Sequence, residues 1–132
     1  MKRRPRVLFG GGLLLAGALG LVCCVFMGPS EEELTQIRAA LAKPEVLLLD
    51  VRSPEEFSTG HLTSAVNVPV GELGGRLAEL GAKERPVVVY CRSGRRSARA
   101  AGLLADAGFT SVLDLGGIGN GEDVALVTTT SR

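Results

Sequence analysis

The chain has little aromatic surface: no tryptophan, one tyrosine and four phenylalanines, 4% in all. That scarcity argues against a platform on which nucleic-acid bases would stack. Thiols and imidazoles are scarce too, with three cysteines and one histidine. No cluster of them has the spacing of a zinc site, so no metal is expected. Three cysteines cannot build a disulfide framework. Cys23 and Cys24 lie in an apolar run, which leaves Cys91 as the only thiol of whatever folds after it. There is no phosphate-binding P-loop and no dinucleotide fingerprint, hence no expected cofactor. Internal repeats and low-complexity linkers are also missing. With 132 residues, the chain has room for one small domain. At 45% hydrophobic and a mean hydropathy of +0.26, it is not a disordered tail protein.

The net charge of +1 hides an asymmetry. Lys2, Arg3, Arg4 and Arg6 open the chain; without them 11 basic residues face 14 acidic ones, a net of −3. A domain of that sign is a poor general binder of polyanions, so no nucleic-acid partner is expected. Val7 to Gly28 then gives 22 residues without a charge, enough to cross a bilayer. Cations before this run and Glu31, Glu32 and Glu33 after it orient the rest of the chain away from the cytoplasm. Residues 1–29 therefore read as a transmembrane anchor or a signal peptide. Ala16-Gly17-Ala18 and Ala18-Leu19-Gly20 offer small residues for cleavage. Lipidation at Cys23 or Cys24 is a third fate, although neither follows a small residue. Arg3-Arg4 resembles the pair of a twin-arginine signal, in a context that fits it poorly. A buried core helix is disfavoured by six glycines and the lack of a polar face. The expectation is an exported, periplasmic or otherwise extracytoplasmic protein, membrane-attached through residues 7–28 if the segment is retained.

After Gly28-Pro29, Ser30 and Glu33 have the spacing of a capping box, and three glutamates suit the positive end of a helix. Leu34, Ile37 and Leu41 form its apolar stripe, and Lys43-Pro44 ends it. Val46–Leu49 reads as a strand buried on both faces. A turn and a short helix around Pro54–Ser58 follow, then a strand at Ala65–Val68. Residues 71–80 are expected to form one weak helix, with Leu73, Leu77 and Leu80 on one face. Val87–Tyr90 is the clearest strand. Ser97–Ala107 is a helix that Gly108 ends in the left-handed conformation. Val112–Leu115 is the last strand, and residues 121–132 form a tail without period. Strands alternating with helices predict an α/β layered domain with a largely parallel sheet, over residues 30–120.

The chemistry gathers in one loop. Val87–Tyr90 runs into Cys91-Arg92-Ser93-Gly94-Arg95-Arg96 and then into the next helix. A thiol there stands at the carboxyl end of a buried strand and at the amino end of a helix. Ligands of open α/β sheets collect at the first, and anions are favoured at the second. A thiolate in that position has a lowered pKa and becomes a reactive nucleophile. Gly94 lets the loop curl so that successive N–H groups face a common centre. Arg92, Arg95, Arg96 and Arg99 make a dense positive cluster that would attract a small anion; a solvated helix face is the plainer reading of Arg99 and fits Arg92 as well.

Several ordered motifs resemble the single-domain rhodanese family of sulfurtransferases, over roughly residues 46–119. Leu48-Leu49-Asp50-Val51-Arg52-Ser53-Pro54-Glu55-Glu56-Phe57 is similar to its first signature. Gly60-His61-Leu62 and Ala65-Val66-Asn67-Val68-Pro69 match the segment that follows. Tyr90-Cys91-Arg92-Ser93-Gly94-Arg95-Arg96-Ser97-Ala98 matches its active-site loop, and Ala107-Gly108-Phe109 with Leu115-Gly116-Gly117 its end. The resemblance implies a three-layer α/β domain with a small, mostly parallel sheet of four to five strands flanked by helices. It implies a monomer that moves a sulfane sulfur from a small anionic donor such as thiosulfate. A persulfide on Cys91 would carry that sulfur to cyanide or a thiol. Backbone N–H groups of residues 92–96 would cradle the sulfur. Arg92, Ser93, Gly94, Arg95 and Arg96 would be the substrate-binding residues, with Arg96 shaping the loop. Related phosphatases and arsenate reductases place five residues between their cysteine and arginine. Here four separate Cys91 from Arg96, a shorter cradle suited to one sulfur atom.

Blander roles fall to the other polar residues. Asp50 and Arg52 are expected to pair with each other or to bond nearby loops, and Glu55 or Glu56 to offer Arg52 a partner. His61 is expected to be structural, since a thiolate held by a helix dipole needs no base. Two departures from the family pattern stand out. Ser30 follows the apolar segment too closely for the usual first strand, and no tryptophan follows Gly116-Gly117. A rhodanese-like binding or redox-sensing module, with Cys91 oxidised rather than sulfurated, is the alternative.

Overall fold

The computed structural model describes residues 28–130. The apolar run and its two cysteines, and with them the predicted anchor or signal peptide, lie outside the described residues. Among the described residues no helix is long and apolar enough to cross a membrane.

Helix α1 spans Glu31–Leu41, and its start is the predicted capping box. The Ser30 N–H donates to Glu33 at 2.7 Å, and the Glu33 N–H donates to Ser30 Oγ at 3.3 Å. Leu34, Ile37 and Ala40 are its buried stripe. Strand β1 (Leu47–Asp50) leads into α2 (Pro54–Thr59), which has a second capping box made by Ser53 and Glu56. Two-residue strands follow at His61–Leu62 (β2) and Val66–Asn67 (β3), and then the single turn α3 (Val70–Leu73). The helix predicted over 71–80 is instead broken in two, α3 and a 3₁₀ turn at Leu77–Leu80. Gly74 and Gly75 fall between them, where two glycines cost a helix about 1 kcal/mol each. The predicted apolar face survives the break: Leu73 and Leu80 are buried, and Leu77 packs against the same core.

Strand β4 (Val87–Cys91) feeds α4 (Arg95–Asp106), and β5 (Val112–Gly117) follows. Gly108 between them takes the left-handed conformation, φ +98°. Four parallel strands form the sheet in the order β3-β1-β4-β5. Side chains alternate across it, as the period of a strand requires. Leu47, Leu49, Val87, Val89 and Cys91 face α4, while Leu48, Val88 and Tyr90 face α1. Both faces are covered, which explains why β1 and β4 read as unbroken apolar runs. Cys91 thus shares its face with Val87 and Val89 and lies under the start of α4.

Two features escaped the periodicity. Strand β2 pairs antiparallel with a last strand, β6 (Thr128–Thr129). Between β5 and β6, Ile118–Val124 is 3₁₀, and Val124 joins the core under α1. The stretch from Gly121 onward therefore packs on the domain as far as Thr129. A Cβ on Gly121 would lie 2.6 Å from the buried Leu62 side chain, which would have to shift to admit it.

Candidate active site

The site begins with a bulge. Val89 pairs with Asp114 and Tyr90 with Gly116, so Leu115 is an extra residue in β5. Asp114 accepts the Gly116 N–H at 2.8 Å, and Gly116 sits at φ +81°, where glycine is favoured. The bulge turns the end of β5 under the loop that follows β4. A Cβ on Gly117 would lie 2.8 Å from the carbonyl oxygen of Arg92. That close approach accounts for the second glycine of the pair.

Cys91 ends β4 and is fully buried. Gly94, at φ +98° and ψ −13°, turns the chain into α4 and directs its N–H at Cys91 Sγ, 2.9 Å away. Ser97, one turn into α4, is also fully buried and places its hydroxyl 3.6 Å from the sulfur. The same hydroxyl donates to the Gly94 carbonyl at 3.1 Å, which locks the rotamer. Burial alone would push the thiol pKa up. Hydrogen bonding with the Ser97 hydroxyl and with the backbone of Ser97, Gly94 and Ser93 outweighs it, and the thiol lies below its ordinary value. The loop therefore favours a thiolate in a pocket of N–H donors.

Arg96 is held from outside the loop. Its guanidinium makes two parallel bonds to Glu56 of α2, at 2.7 and 2.9 Å. Glu56 is held down at about 2, first by Arg96 and then by the Ser53 N–H of its capping box. The expectation that Glu55 or Glu56 would partner Arg52 is therefore corrected. Arg52 folds back on Asp50, with Nη2 to Oδ2 at 2.7 Å, and donates to the Gly60 carbonyl at 2.6 Å. Both members of that pair are buried. Local geometry decides the matter, because Arg52 lies two residues from Asp50 whereas Glu56 faces α4. His61 stacks on Phe57 at 3.7 Å and bonds the Phe57 carbonyl through Nδ1 at 2.9 Å. That is the structural place expected of it.

The structure thus brings Cys91, Gly94 and Arg96 to one end of the sheet. Arg92 and Ser93 are exposed and, with Gly94, line a cavity of about 480 Å³ that also touches Glu33, Asp114 and Asn120. Arg95 is exposed at the first position of α4. Sequence reasoning missed the parts played by Ser97 and Glu56. Ser53 and Glu56 have the spacing of a capping box, which was the available signal for Glu56. Nothing local marked Ser97 as a partner of the sulfur. Among the described residues no group of His, Cys, Asp or Glu could hold a metal ion.

Among the described residues, a lone buried cysteine at a strand-to-helix junction, with N–H donors turned towards its sulfur in a parallel α/β sheet, defines a class of α/β domains built round one cysteine. Within that class, residues 33–120 match the Rhodanese-like domain family, and the chain belongs to it. It is 37% identical over 79 residues to the thiosulfate sulfurtransferase PspE of Escherichia coli, covering 59% of this chain and 73% of that one. A sulfurtransferase of Allochromatium vinosum is 41% identical over 73 residues, 55% of this chain and 67% of its own length. A solved structure of a rhodanese with anions from E. coli superposes with a TM-score of 0.59 at 33% identity. It is matched over 65% of this chain and 99% of its own. The family match agrees with the resemblance read from the loop motifs.

Proposed function

We propose that this protein is a sulfurtransferase that takes the outer sulfur of thiosulfate onto Cys91 and passes it to cyanide or a thiol. The observation that carries the reading is the 2.9 Å approach of the Gly94 N–H to the buried Cys91 Sγ, in a loop whose hydrogen bonds lower the thiol pKa. The relatives named sulfurtransferase and thiosulfate sulfurtransferase support the reaction class.

The Cys91 thiolate attacks the sulfane sulfur of thiosulfate. The S–S bond of the donor breaks, its electron pair leaves with sulfite, and Cys91 carries a persulfide anion. N–H groups of the loop then face the terminal sulfur, where negative charge now rests. Cyanide attacks that sulfur, thiocyanate departs, and the Cys91 thiolate returns. No oxidant is consumed in the cycle. Arg92 and Arg95 at the rim meet the donor's charge, while Arg96, tied to Glu56, shapes the loop.

The domain works outside the cytoplasm in this reading, on the strength of the four-cation start and the charge-free run from Val7 to Gly28. The test is intact mass of the full chain before and after thiosulfate, followed by cyanide and assay of thiocyanate. A gain of about one sulfur mass that cyanide discharges, lost in Cys91→Ser, supports the mechanism. No gain, with oxygen added at Cys91 by mild peroxide, assigns the site to redox sensing instead.

A further inference from the structure

The charge-free run of the sequence joins the domain at its reactive end. The run closes on Met27-Gly28, and Gly28 and Pro29 line the same cavity as Arg92, Ser93 and Gly94. The junction is packed in place. A Cβ on Gly28 would lie 3.5 Å from Asn120 Nδ2, and one on Gly116 would lie 3.9 Å from Pro29 Cδ. Asn120 in turn donates to the Leu115 carbonyl at 2.8 Å, inside the bulge near the end of β5. Because the four strands of the sheet are parallel, this is the end at which β4 delivers Cys91. Helix α1 starts here, and its 11 residues carry the chain about 16 Å away. Lys43, past its last turn, is exposed at the opposite end.

Only Gly28, Pro29 and Ser30 stand between Met27 and the first carboxylate, Glu31. An apolar run held in hydrocarbon must stop before Glu31, because a carboxylate is costly there. Gly28 is part of the cavity wall and lies one residue, about 3.8 Å, from Met27. With the run in a bilayer, the lipid surface therefore stands at the cavity mouth, well inside the Debye length of about 10 Å at 0.1 M salt. We infer that the reactive end of the domain rests against the surface of a phospholipid bilayer, and that the charge of this surface sets how much of an anionic donor reaches Cys91. An anionic leaflet holds about −30 mV at its surface, which thins a dianion there about tenfold and a monoanion about threefold. A neutral reactant is unaffected. The inference rests on retention of residues 7–27 in the membrane, and on the sulfur-transfer reading only for the identity of the donor.

The test uses the full chain with Cys23→Ala, Cys24→Ala and Cys91→Ser, carrying one reporter thiol. Ala98→Cys puts the reporter at an exposed position of the cavity wall, and Lys43→Cys puts it at the far end of the domain. Each protein is set in lipid nanodiscs of phosphatidylcholine, with or without phosphatidylglycerol, and alkylation by anionic iodoacetate is compared with that by neutral iodoacetamide. On the anionic discs the iodoacetate-to-iodoacetamide rate ratio is expected to fall about threefold for Ala98→Cys and to hold steady for Lys43→Cys, a difference that high salt removes. A spacer of about 20 Gly and Ser residues after Met27 adds about 25 Å of reach and should abolish the fall. In the wild type, the thiosulfate KM should rise about tenfold on the anionic discs at unchanged kcat. A ratio at Ala98→Cys that lipid charge does not move overturns the orientation, as does a fall that Lys43→Cys shares or that the spacer leaves intact. A chain that does not enter the discs overturns membrane retention, and the inference with it. Absence of turnover in the wild type, with the reporter ratio falling as expected, counts against the sulfur-transfer reading alone.

Discussion

Two neighbouring parallel strands end at the same edge of the sheet and do different things there. Strand β1 ends in Asp50, whose carboxylate is closed off by Arg52 through three side-chain bonds of 2.7 to 3.0 Å, while Arg52 also caps the Gly60 carbonyl. Asn67 adds bonds to the backbone carbonyls of Asp50 and Arg52. Among the described residues no buried side-chain polar atom lacks a partner. Strand β4 ends in Cys91, where the donors converge on a single sulfur that makes no ion pair. Both ends use buried hydrogen bonds. The first spends them on satisfying a charge pair and the second on favouring an anion that can react. Position at the carboxyl end of a strand is therefore not sufficient for chemistry; what the local donors point at decides it.

Substitutions at each end should separate chemistry from stability. The largest effect is expected at the sulfur itself. Cys91→Ser should lower thiosulfate–cyanide turnover to background, a loss of about a thousandfold or more, with an unchanged urea midpoint. If turnover persists, the two strand ends do not divide in this way. At β1, Asp50→Ala leaves Arg52 buried without its counter-charge. It should cost about 3–5 kcal/mol in equilibrium unfolding and keep activity per folded molecule near wild type. A stable Asp50→Ala protein that fails to form persulfide would instead place Asp50 in the site.

Smaller effects test the supports of the loop. Ser97→Ala removes a bond that lowers the Cys91 thiol. Turnover of the wild type should rise with pH and level off below the ordinary thiol range. In Ser97→Ala the midpoint of the rise should move upward, and the rate near neutrality should fall about tenfold. An unmoved profile would assign Ser97 to packing only. The smallest change is expected from Glu56→Gln. It frees Arg96 from its bidentate partner and should raise the thiosulfate KM a few-fold with little change in kcat. Glu56 is also titratable. Its folded pKa of about 2 lies below the unfolded value near 4.5, so its contribution is present above pH 4.5 and is lost as pH falls towards 2. With a side chain 29% exposed, screening holds that contribution to about 1 kcal/mol. Wild-type stability should therefore fall more steeply than that of Glu56→Gln between pH 4.5 and 2.

Much of this arrangement is legible along the chain because its causes are local. The capping box of α1, the three valines before Cys91 and the left-handed Gly108 each follow from residue types at short spacing. The helix expected from the leucine spacing over 71–80 is interrupted at Gly74-Gly75, whose backbone freedom outweighs that spacing. Strand β6 is invisible because two exposed threonines carry no period, and only pairing with His61–Leu62 makes them a strand.

The sequence by itself determined the order of the elements, the burial of β1 and β4 on both faces, and the place of Cys91 between a strand and a helix. Those follow from hydrophobic period and backbone preference, which act within a few residues. Only the tertiary structure decided which carboxylate meets which arginine, since Glu56 reaches Arg96 across 40 residues whereas Arg52 turns back on Asp50. It alone brought Gly117 under the Arg92 carbonyl. The reason is physical: hydrogen bonds and ion pairs depend on angstrom-scale distances between segments far apart in the chain, and no local pattern encodes them.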